Sequence, residues 1–151
     1  MTITSFQRER TRFVRFAIVG AIGFVVDFSA FNLFRSGVGI SPEVSSMLSF
    51  TVAVISNFIW NRYWTYPDSR SKRVVGQLIQ FFIVNVAGLG IRTGVFVLIN
   101  RPLVKFFEDV PFTLPLEAYV FGENLALAIV VVIVMFWNFF INRFWTYNDV
   151  D

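Results

Sequence analysis

The chain has 151 residues, of which 56% are hydrophobic and only 15% are charged, and its formal net charge is +3. Soluble domains carry about 25% charged residues, so this composition indicates a surface that mostly faces lipid. Cysteine and histidine are absent, which excludes disulfides, Cys or His metal sites and His-based catalysis. We therefore expect no enzymatic activity, no cofactor and no metal.

Four apolar segments are long enough to cross a bilayer, because about 30 Å of hydrocarbon requires about 20 helical residues. In chain order they occupy residues 13–34, 44–60, 78–100 and 118–141. The sequence therefore predicts an all-α polytopic membrane protein with four transmembrane helices. Residues 1–12 precede the first segment and form a basic cytoplasmic arm in this interpretation.

The distribution of Lys and Arg predicts the orientation of these helices. Nine basic residues lie on the side of the two termini and the middle loop, namely Arg8, Arg10, Arg12, Arg15, Arg62, Arg70, Lys72, Arg73 and Arg143. Three lie on the opposite side, namely Arg35, Arg101 and Lys105. Cytoplasmic loops are rich in basic residues, so we expect both termini in the cytoplasm, in an inner or plasma membrane. Basic residues beside apolar runs favour this topological role over nucleic-acid binding, and no nucleic-acid partner is expected.

The sequence contains an internal repeat. Residues 57–68 read NFIWNRYWTYPD and residues 138–149 read NFFINRFWTYND, 81 positions later. Residues 16–20 align with residues 81–85 at an offset of 65. Each half would be one outward and one inward helix, which predicts two parallel two-helix repeats at about 13–68 and 78–149.

The four-helix plan resembles the GtrA-like family of small membrane proteins. The resemblance rests on Arg15, Phe16 and Gly20, followed by Asp27, and on the ending Asn-x-x-x-Asn-Arg-x-Trp-Thr-Tyr of each half. It covers about residues 13–149 and identifies them as a GtrA-like transmembrane domain. It implies work with polyprenyl-phosphate-linked sugars in cell-surface polysaccharide assembly, as lipid flipping beside a partner glycosyltransferase.

Two ionisable residues, Asp27 and Arg92, lie inside predicted spans, where charges are costly and usually face a partner or a wet cavity. Arg92 lies 65 positions after Asp27, so the repeat places them at similar depth. They form either a buried ion pair or a polar site in which Arg92 binds a phosphate. Asn85 and Glu123 are further candidates for this intramembrane polar site.

Six residues at the ends of the second and fourth helices are candidates for binding a phosphate headgroup. Asn57 and Asn61 share one helical face, as do their equivalents in the second repeat. The full set is Asn57, Asn61, Arg62, Asn138, Asn142 and Arg143. Arginine supplies a fork of donors for phosphate oxygens and asparagine supplies neutral donors. Topological anchoring is the alternative explanation for the arginines.

Aromatic residues surround the same positions and are typical of a belt at the membrane interface. They are Trp60, Trp64, Tyr66, Trp145 and Tyr147. Asp149 and Asp151 have the Asp-x-Asp form of nucleotide-sugar transferases. Because nothing around them indicates a nucleotide-binding domain, we do not interpret them as catalytic.

Three functional interpretations remain open at this stage. The first is a translocator of polyprenyl-phosphate or polyprenyl-phosphate-linked sugar. The second is a nontransporting anchor that recruits a glycosyltransferase through the basic arm and the basic loop at 70–73. The third is a small multidrug-type transporter, although Asp27 replaces the usual glutamate. A narrow four-helix bundle leaves little room for a sugar headgroup, so a homodimer, a higher homo-oligomer or a partner transferase is expected to complete the pathway.

Overall fold

Four long helices make up the architecture. A computed structural model describes residues 3–69, 71–109 and 117–150, and within these ranges every regular element is helical. The helices are α1 (Ile3–Asn32), α2 (Pro42–Trp60), α3 (Val74–Glu108) and α4 (Ala118–Ile141). All four are long and apolar enough to cross a membrane. The all-α prediction and the number of spans are confirmed.

The helices are longer than the apolar segments that predicted them. The basic stretch before residue 13 is helical from Ile3, so it continues α1. Within it, Arg12 and Glu9 form an ion pair three residues apart, a spacing that supports a helix. Hydropathy detects only the part of a helix that suits hydrocarbon, whereas the backbone hydrogen bonds continue into water.

The start of α2 has a recognisable cap. The Ser41 hydroxyl accepts a hydrogen bond from the Val44 backbone N–H, and Pro42 occupies the first helical position, where its missing N–H costs nothing. Just before it, Gly39 has a φ of 82°, a left-handed conformation that glycine adopts without strain. The turn between α1 and α2 is therefore specified locally.

Three of the helices end in a π-helical turn: α1 at Leu33–Gly37, α2 at Asn61–Thr65 and α4 at Asn142–Thr146. The Tyr66 N–H donates to the Asn61 carbonyl at 2.8 Å, and the Tyr147 N–H donates to the Asn142 carbonyl at the same distance. The two repeated sequence endings thus have the same local structure. The arrangement of the halves as parallel repeats stays a prediction.

The described residues belong to two units, one within Met1–Ile83 and Ile141–Asp151, the other within Val84–Phe140. In the first unit, a Cβ at Gly23 would overlap the Asn57 amide, so α1 and α2 approach closely there. In the second unit, a Cβ at Gly88 would lie 2.9 Å from the Asn138 amide oxygen. Small residues allow such helix contacts in lipid.

Many large apolar side chains point away from both units, as expected of helices surrounded by lipid. Phe24, Met47 and Leu98 each expose about 70% of their surface. The side chains that are most buried in the first unit are instead largely polar and lie near the π-helical turns of α2 and α4. These two turns, together with the first four turns of α1, are called the polar end below.

Candidate functional site: an arginine cleft at the polar end

Two tyrosines lie at the centre of the polar end. Tyr66 and Tyr147 are fully buried, and their rings stack with centroids 4.4 Å apart and planes 16° from parallel. Phe81 packs edge-on against Tyr147, with centroids 6.4 Å apart. The prediction that these tyrosines belong to a membrane-facing belt is therefore wrong, because protein covers both rings.

Burial makes both tyrosines weaker acids. Desolvation raises the pKa of Tyr66 well above its usual value, the Glu9 carboxylate raises that pKa further, and Arg143 opposes the shift. Desolvation and the neighbouring tyrosine likewise raise the pKa of Tyr147, and Arg62 opposes that shift. Each tyrosine therefore lies within electrostatic reach of the arginine that follows the other repeat's helix.

An ion-pair network joins α1 to the ends of both repeats. Glu9 Oε1 accepts hydrogen bonds from Arg12 Nη1 at 2.7 Å and from Arg143 Nε at 3.0 Å. Arg12 Nη2 also donates to Asp68 Oδ2 at 2.9 Å. The Arg12 guanidinium lies 5.8 Å from the centre of the Tyr66 ring, within the range of a cation–π interaction. This network holds Arg12 in a nearly buried position.

The predicted headgroup residues near the π-helical turns are mostly interior. Asn61 and Asn142 are buried, and the Thr146 hydroxyl donates to Asn142 Oδ1 at 2.8 Å. Arg62 is only 6% exposed, and its Nη1 has no hydrogen-bond partner among the residues that the structure describes. Arg143 is slightly more open but is held by its ion pair. None of these side chains presents an open binding surface.

The other two headgroup candidates lie at helix contacts. Asn57 packs against Gly23 in the first unit, and Asn138 packs against Gly88 in the second. In each contact the asparagine amide occupies the space beside the glycine, where any side chain larger than hydrogen would collide with it. Both side chains are therefore placed to pack helices, a role that the equivalent positions of the two repeats share.

An open cleft of about 510 Å³ lies beside the ion-pair network, between α1 and the end of α2. Arg8, Arg12 and Arg15 line it, and their spacing of four and three residues places them on one face of α1. Thr65 also lines it; this residue is almost fully buried, and its hydroxyl has no hydrogen-bond partner among the described residues. We call this feature the arginine cleft.

The three arginines differ in how firmly they are held. Arg15 Nη1 donates to the Trp64 carbonyl at 3.0 Å, and its guanidinium lies 5.6 Å from the Trp64 ring centre. Arg12 is fixed by its carboxylate partners. Arg8 is exposed at the rim, and the structure records no ion pair for it among the described residues. The cleft thus combines two fixed guanidinium groups with one that can reach a ligand.

The second repeat has no equivalent set of arginines. At the offset of 65, the arginines at 8, 12 and 15 correspond to Arg73, Gln77 and Gln80. Gln77 is buried, and its Nε2 donates to Ser69 Oγ at 2.7 Å and to the Thr146 carbonyl at 3.2 Å. One positive charge therefore stands where the first repeat has three.

The loop between α2 and α3 is tied to the end of the second repeat. The Ser69 and Ser71 hydroxyls both donate to the Asp149 carboxylate, and Lys72 Nζ donates to the Trp145 carbonyl at 2.9 Å. Desolvation raises the pKa of Asp149, but the serine hydrogen bonds outweigh it, so the pKa is lowered overall. Asp149 is thus a tether for this loop; Arg70 and Asp151 lie outside the described residues.

The predicted intramembrane site is divided between the two units. Asp27 belongs to the first unit, and its Oδ1 is buried without a hydrogen-bond partner among the described residues. Arg92 belongs to the second unit and is exposed, and Asn85 of the same unit is half-buried. Glu123 is exposed near the start of α4. The pairing of Asp27 with Arg92 stays a prediction.

The tryptophans of the predicted belt differ in exposure. Trp60 and Trp145 are exposed and Trp64 is half-buried. Trp60 and Trp64 contact each other edge to face, with centroids 6.4 Å apart. Large amphipathic rings at the ends of apolar helices are typical of the membrane interface, so the belt remains a prediction for these three residues.

Sequence reasoning missed the arginine cleft because it interpreted the basic residues before the first span as topological anchors. Their spacing was a usable signal, since arginines four and three residues apart line one side of a helix. Comparing the two repeats is a second signal. At the positions equivalent to Arg12 and Arg15 the second repeat has Gln77 and Gln80, so the set of three arginines belongs to the first repeat alone.

The four helices and the polar end define an integral, multi-pass membrane protein. Residues 15–147 match the family model described as the GtrA/DPMS transmembrane domain. The chain therefore belongs to this family, and the GtrA-like resemblance of its sequence is confirmed.

Two curated proteins are similar to this chain. One is a dolichol-phosphate mannosyltransferase of Pyrococcus furiosus, 30% identical over 86 residues, which are 57% of this chain and 24% of that protein. The chain thus matches about a quarter of the transferase's length. The other is the uncharacterized membrane protein YngA of Bacillus subtilis, 26% identical over 138 residues, which are 89% of this chain and 78% of that protein.

Proposed function

We propose that this protein binds the phosphate of a polyprenyl-phosphate-linked sugar in the arginine cleft and moves that lipid across the membrane. The observation that carries the proposal is the cleft itself, with three arginines around about 510 Å³. Ligand sites commonly enclose about 300–1,000 Å³. Guanidinium groups bind phosphate oxygens through paired, charge-assisted hydrogen bonds.

The relatives support a lipid phosphate as the ligand. One of them is named for dolichol phosphate and mannose, and dolichol phosphate is a polyprenyl-type lipid phosphate. The excess of basic residues on the side of the polar end supports a cytoplasmic position for it in this proposal. The headgroup would therefore enter the cleft from the cytoplasm, with its prenyl chain along the exposed apolar sides of the helices.

The roles of the cleft residues follow from how they are held. Arg8 reaches the phosphate from the rim, and Arg15 presents a guanidinium fixed by Trp64. The phosphate competes with Asp68 for Arg12, because both are anions. The Thr65 hydroxyl donates a further hydrogen bond. These roles require no covalent chemistry and no cofactor, so we propose a binding and transport protein rather than an enzyme.

The passage of the headgroup needs polar groups deeper in the membrane. Asp27 lies in the last two turns of α1, inside the predicted span, and has a buried oxygen without a partner among the described residues. In this proposal it accepts hydrogen bonds from sugar hydroxyls during passage, with Arg92 as the predicted counter-charge. A second copy of the chain or a partner transferase would supply the remaining walls.

A second candidate function is a membrane anchor for a glycosyltransferase. Its support is the similarity to part of a mannosyltransferase, which places a related segment within a transferase chain. In that case the polar end docks the enzyme and no lipid crosses. Asp27 would then be replaceable by asparagine without loss of activity. Family membership favours these two candidates over the small multidrug-type transporter.

Translocation in proteoliposomes tests the proposal. A short-chain polyprenyl-phosphate mannose is placed in one leaflet, and its appearance in the other is measured for the wild type, Arg8→Ala and Asp27→Asn. We expect both variants to lose most of the activity, while Arg10→Ala, on the same helix but outside the cleft, keeps it. Absence of translocation by folded wild type, together with binding of a glycosyltransferase, would favour the anchor.

A further inference from the structure

The second unit contains a cleft of its own, where α3 ends and α4 begins. Its volume is also about 510 Å³. Six polar residues line it: Asn100, Arg101, Lys105 and Glu108 from α3, Asp109 directly after α3, and Glu123 from α4. This feature is called the α3–α4 cleft. Glu123 is a sequence-predicted candidate for the intramembrane polar site, and in the structure it lies among charged residues at a helix end.

The packing of the two helices fixes the shape of this cleft. A Cβ at Gly122 would lie 2.7 Å from the Val104 Cα, so α4 touches the backbone of α3 at that point. The Phe107 and Phe121 rings meet edge to face nearby, with centroids 4.6 Å apart. Glu123 follows the crossing directly and is therefore held opposite the polar side chains of α3.

The charged groups of the cleft are not neutralised by one another. Two cations and three carboxylates line it, yet the structure records no ion pair between them among the described residues. Asn100 Oδ1 is buried and has no hydrogen-bond partner among those residues either. The cleft thus offers a ligand both positively charged hydrogen-bond donors and negatively charged hydrogen-bond acceptors.

The end of α3 extends beyond the hydrocarbon of a bilayer. The helix has 35 residues, which span about 52 Å, compared with about 30 Å of hydrocarbon. Its last two turns carry Arg101, Lys105 and Glu108, which are all exposed. The α3–α4 cleft therefore belongs to the level of the lipid headgroups.

The geometry points to a binding site for a phosphorylated sugar in the α3–α4 cleft. Arg101 and Lys105 bind the phosphate oxygens, while the carboxylates and the Asn100 amide accept hydrogen bonds from sugar hydroxyls. A sugar can donate from several hydroxyls to these separate acceptors, whereas the single ammonium group of an ethanolamine headgroup would leave some of them unused. This inference rests on the proposed function, because the sugar of a translocated lipid needs a receiving site at the other surface.

Calorimetric titration of the full-length protein in detergent micelles with mannose 1-phosphate tests this site. We expect Glu108→Gln and Glu123→Gln each to weaken binding roughly tenfold, since each removes a charged hydrogen-bond acceptor. Both side chains are exposed, so we expect the variants to fold. Glu117→Gln is the matched control, because Glu117 is exposed just before α4 and does not line the cleft.

Arg8→Ala separates this site from the arginine cleft. If Arg8→Ala abolishes all binding and the two glutamine variants change nothing, the inference is overturned and the proposed function is unaffected. If the glutamine variants weaken binding in a preparation that does not translocate lipid, the site stands and the proposed transport fails. Tighter binding of phosphoethanolamine with the same glutamate dependence would overturn the assignment to a sugar.

Discussion

Tyr66 and Tyr147 occupy equivalent positions in the two repeats, 81 residues apart, and their buried rings stack at 4.4 Å. Each ring follows a π-helical turn, and each lies within electrostatic reach of the other repeat's arginine. The pair therefore joins the ends of α2 and α4 inside the first unit. An aromatic stack contributes about 0.5–1.5 kcal/mol beyond burial of its area.

The tyrosine pair predicts a specific alkaline titration. Burial raises the pKa of Tyr66 and Tyr147 above the ordinary tyrosine value of about 10. Tyrosinate absorbance from these two residues should therefore appear only well above pH 10 in the folded protein. Tyr66→Phe and Tyr147→Phe should each remove part of this late rise in absorbance. Loss of absorbance near pH 10, instead of above it, in either variant would contradict the burial.

The same pKa shifts predict how stability depends on pH. Because the folded-state pKa of each buried tyrosine exceeds the unfolded value of about 10, their contribution is complete below pH 10. It declines as the pH rises through the raised folded-state values. Unfolding in micelles should show this decline for the wild type, and Tyr66→Phe should weaken it. An unchanged decline in that variant would assign the effect to other groups.

The contact between Gly23 and Asn57 predicts a difference between two glycine-to-alanine variants. A Cβ at Gly23 overlaps the Asn57 amide, whereas a Cβ at Gly20 meets nothing within 4 Å. Gly23→Ala should lower the free energy of unfolding by about 1–3 kcal/mol, the usual cost of overpacking. Gly20→Ala should leave it unchanged or raise it by up to about 1 kcal/mol, because alanine is favoured over glycine inside a helix. Equal stability of the two variants would refute the close approach of α1 and α2.

The ion-pair network predicts that one carboxylate matters more than its exposure suggests. Glu9→Gln removes the negative charge that Arg12 and Arg143 share and leaves two nearly buried arginines less neutralised. We expect a loss of about 2 kcal/mol in the free energy of unfolding, measured in micelles. Glu117→Gln, which affects an exposed carboxylate, should change it little. A neutral Glu9→Gln variant would show that the network is not stabilising.

Asp149 predicts the protease sensitivity of the loop before α3. Asp149→Asn should weaken its hydrogen bonds from Ser69 and Ser71 and free the loop, so trypsin should cleave after Lys72 or Arg73 faster than in the wild type. Because the folded-state pKa of Asp149 is lowered, its contribution to stability should persist above its ordinary pKa and be lost as the pH falls below that value. Asp68→Asn, at the equivalent position of the first repeat, should not accelerate this cleavage.

The sequence predicts the features that depend on the average hydropathy or the repeated pattern of a long segment. Apolar runs of about 20 residues identify membrane spans whatever their tertiary contacts, and all four were found. The repeated ending was visible as a pattern of letters, and both copies have the same local structure. The GtrA-like resemblance likewise rested on motifs that need no structure.

Properties of single side chains could not be predicted in the same way. Tyr66 and Trp64 are both aromatic residues at the end of the same predicted span, yet only the tyrosine is fully buried, stacked on Tyr147 from the other repeat. Arg62 and Arg8 both satisfy the rule for cytoplasmic basic residues, yet one is interior and the other borders an open cleft. Such differences arise from packing between segments that are distant in sequence.

The central claim is that, at the polar end, the phosphate is bound by the arginines of the first repeat and not by the equivalent positions of the second repeat. Titration of the purified protein with a short-chain polyprenyl phosphate tests it most directly, comparing Arg8→Ala with Arg73→Ala at the equivalent position of the second repeat. Both side chains are exposed. We expect Arg8→Ala to weaken binding roughly tenfold and Arg73→Ala to leave it unchanged. Equal effects of the two variants, or no effect of either, would contradict the account.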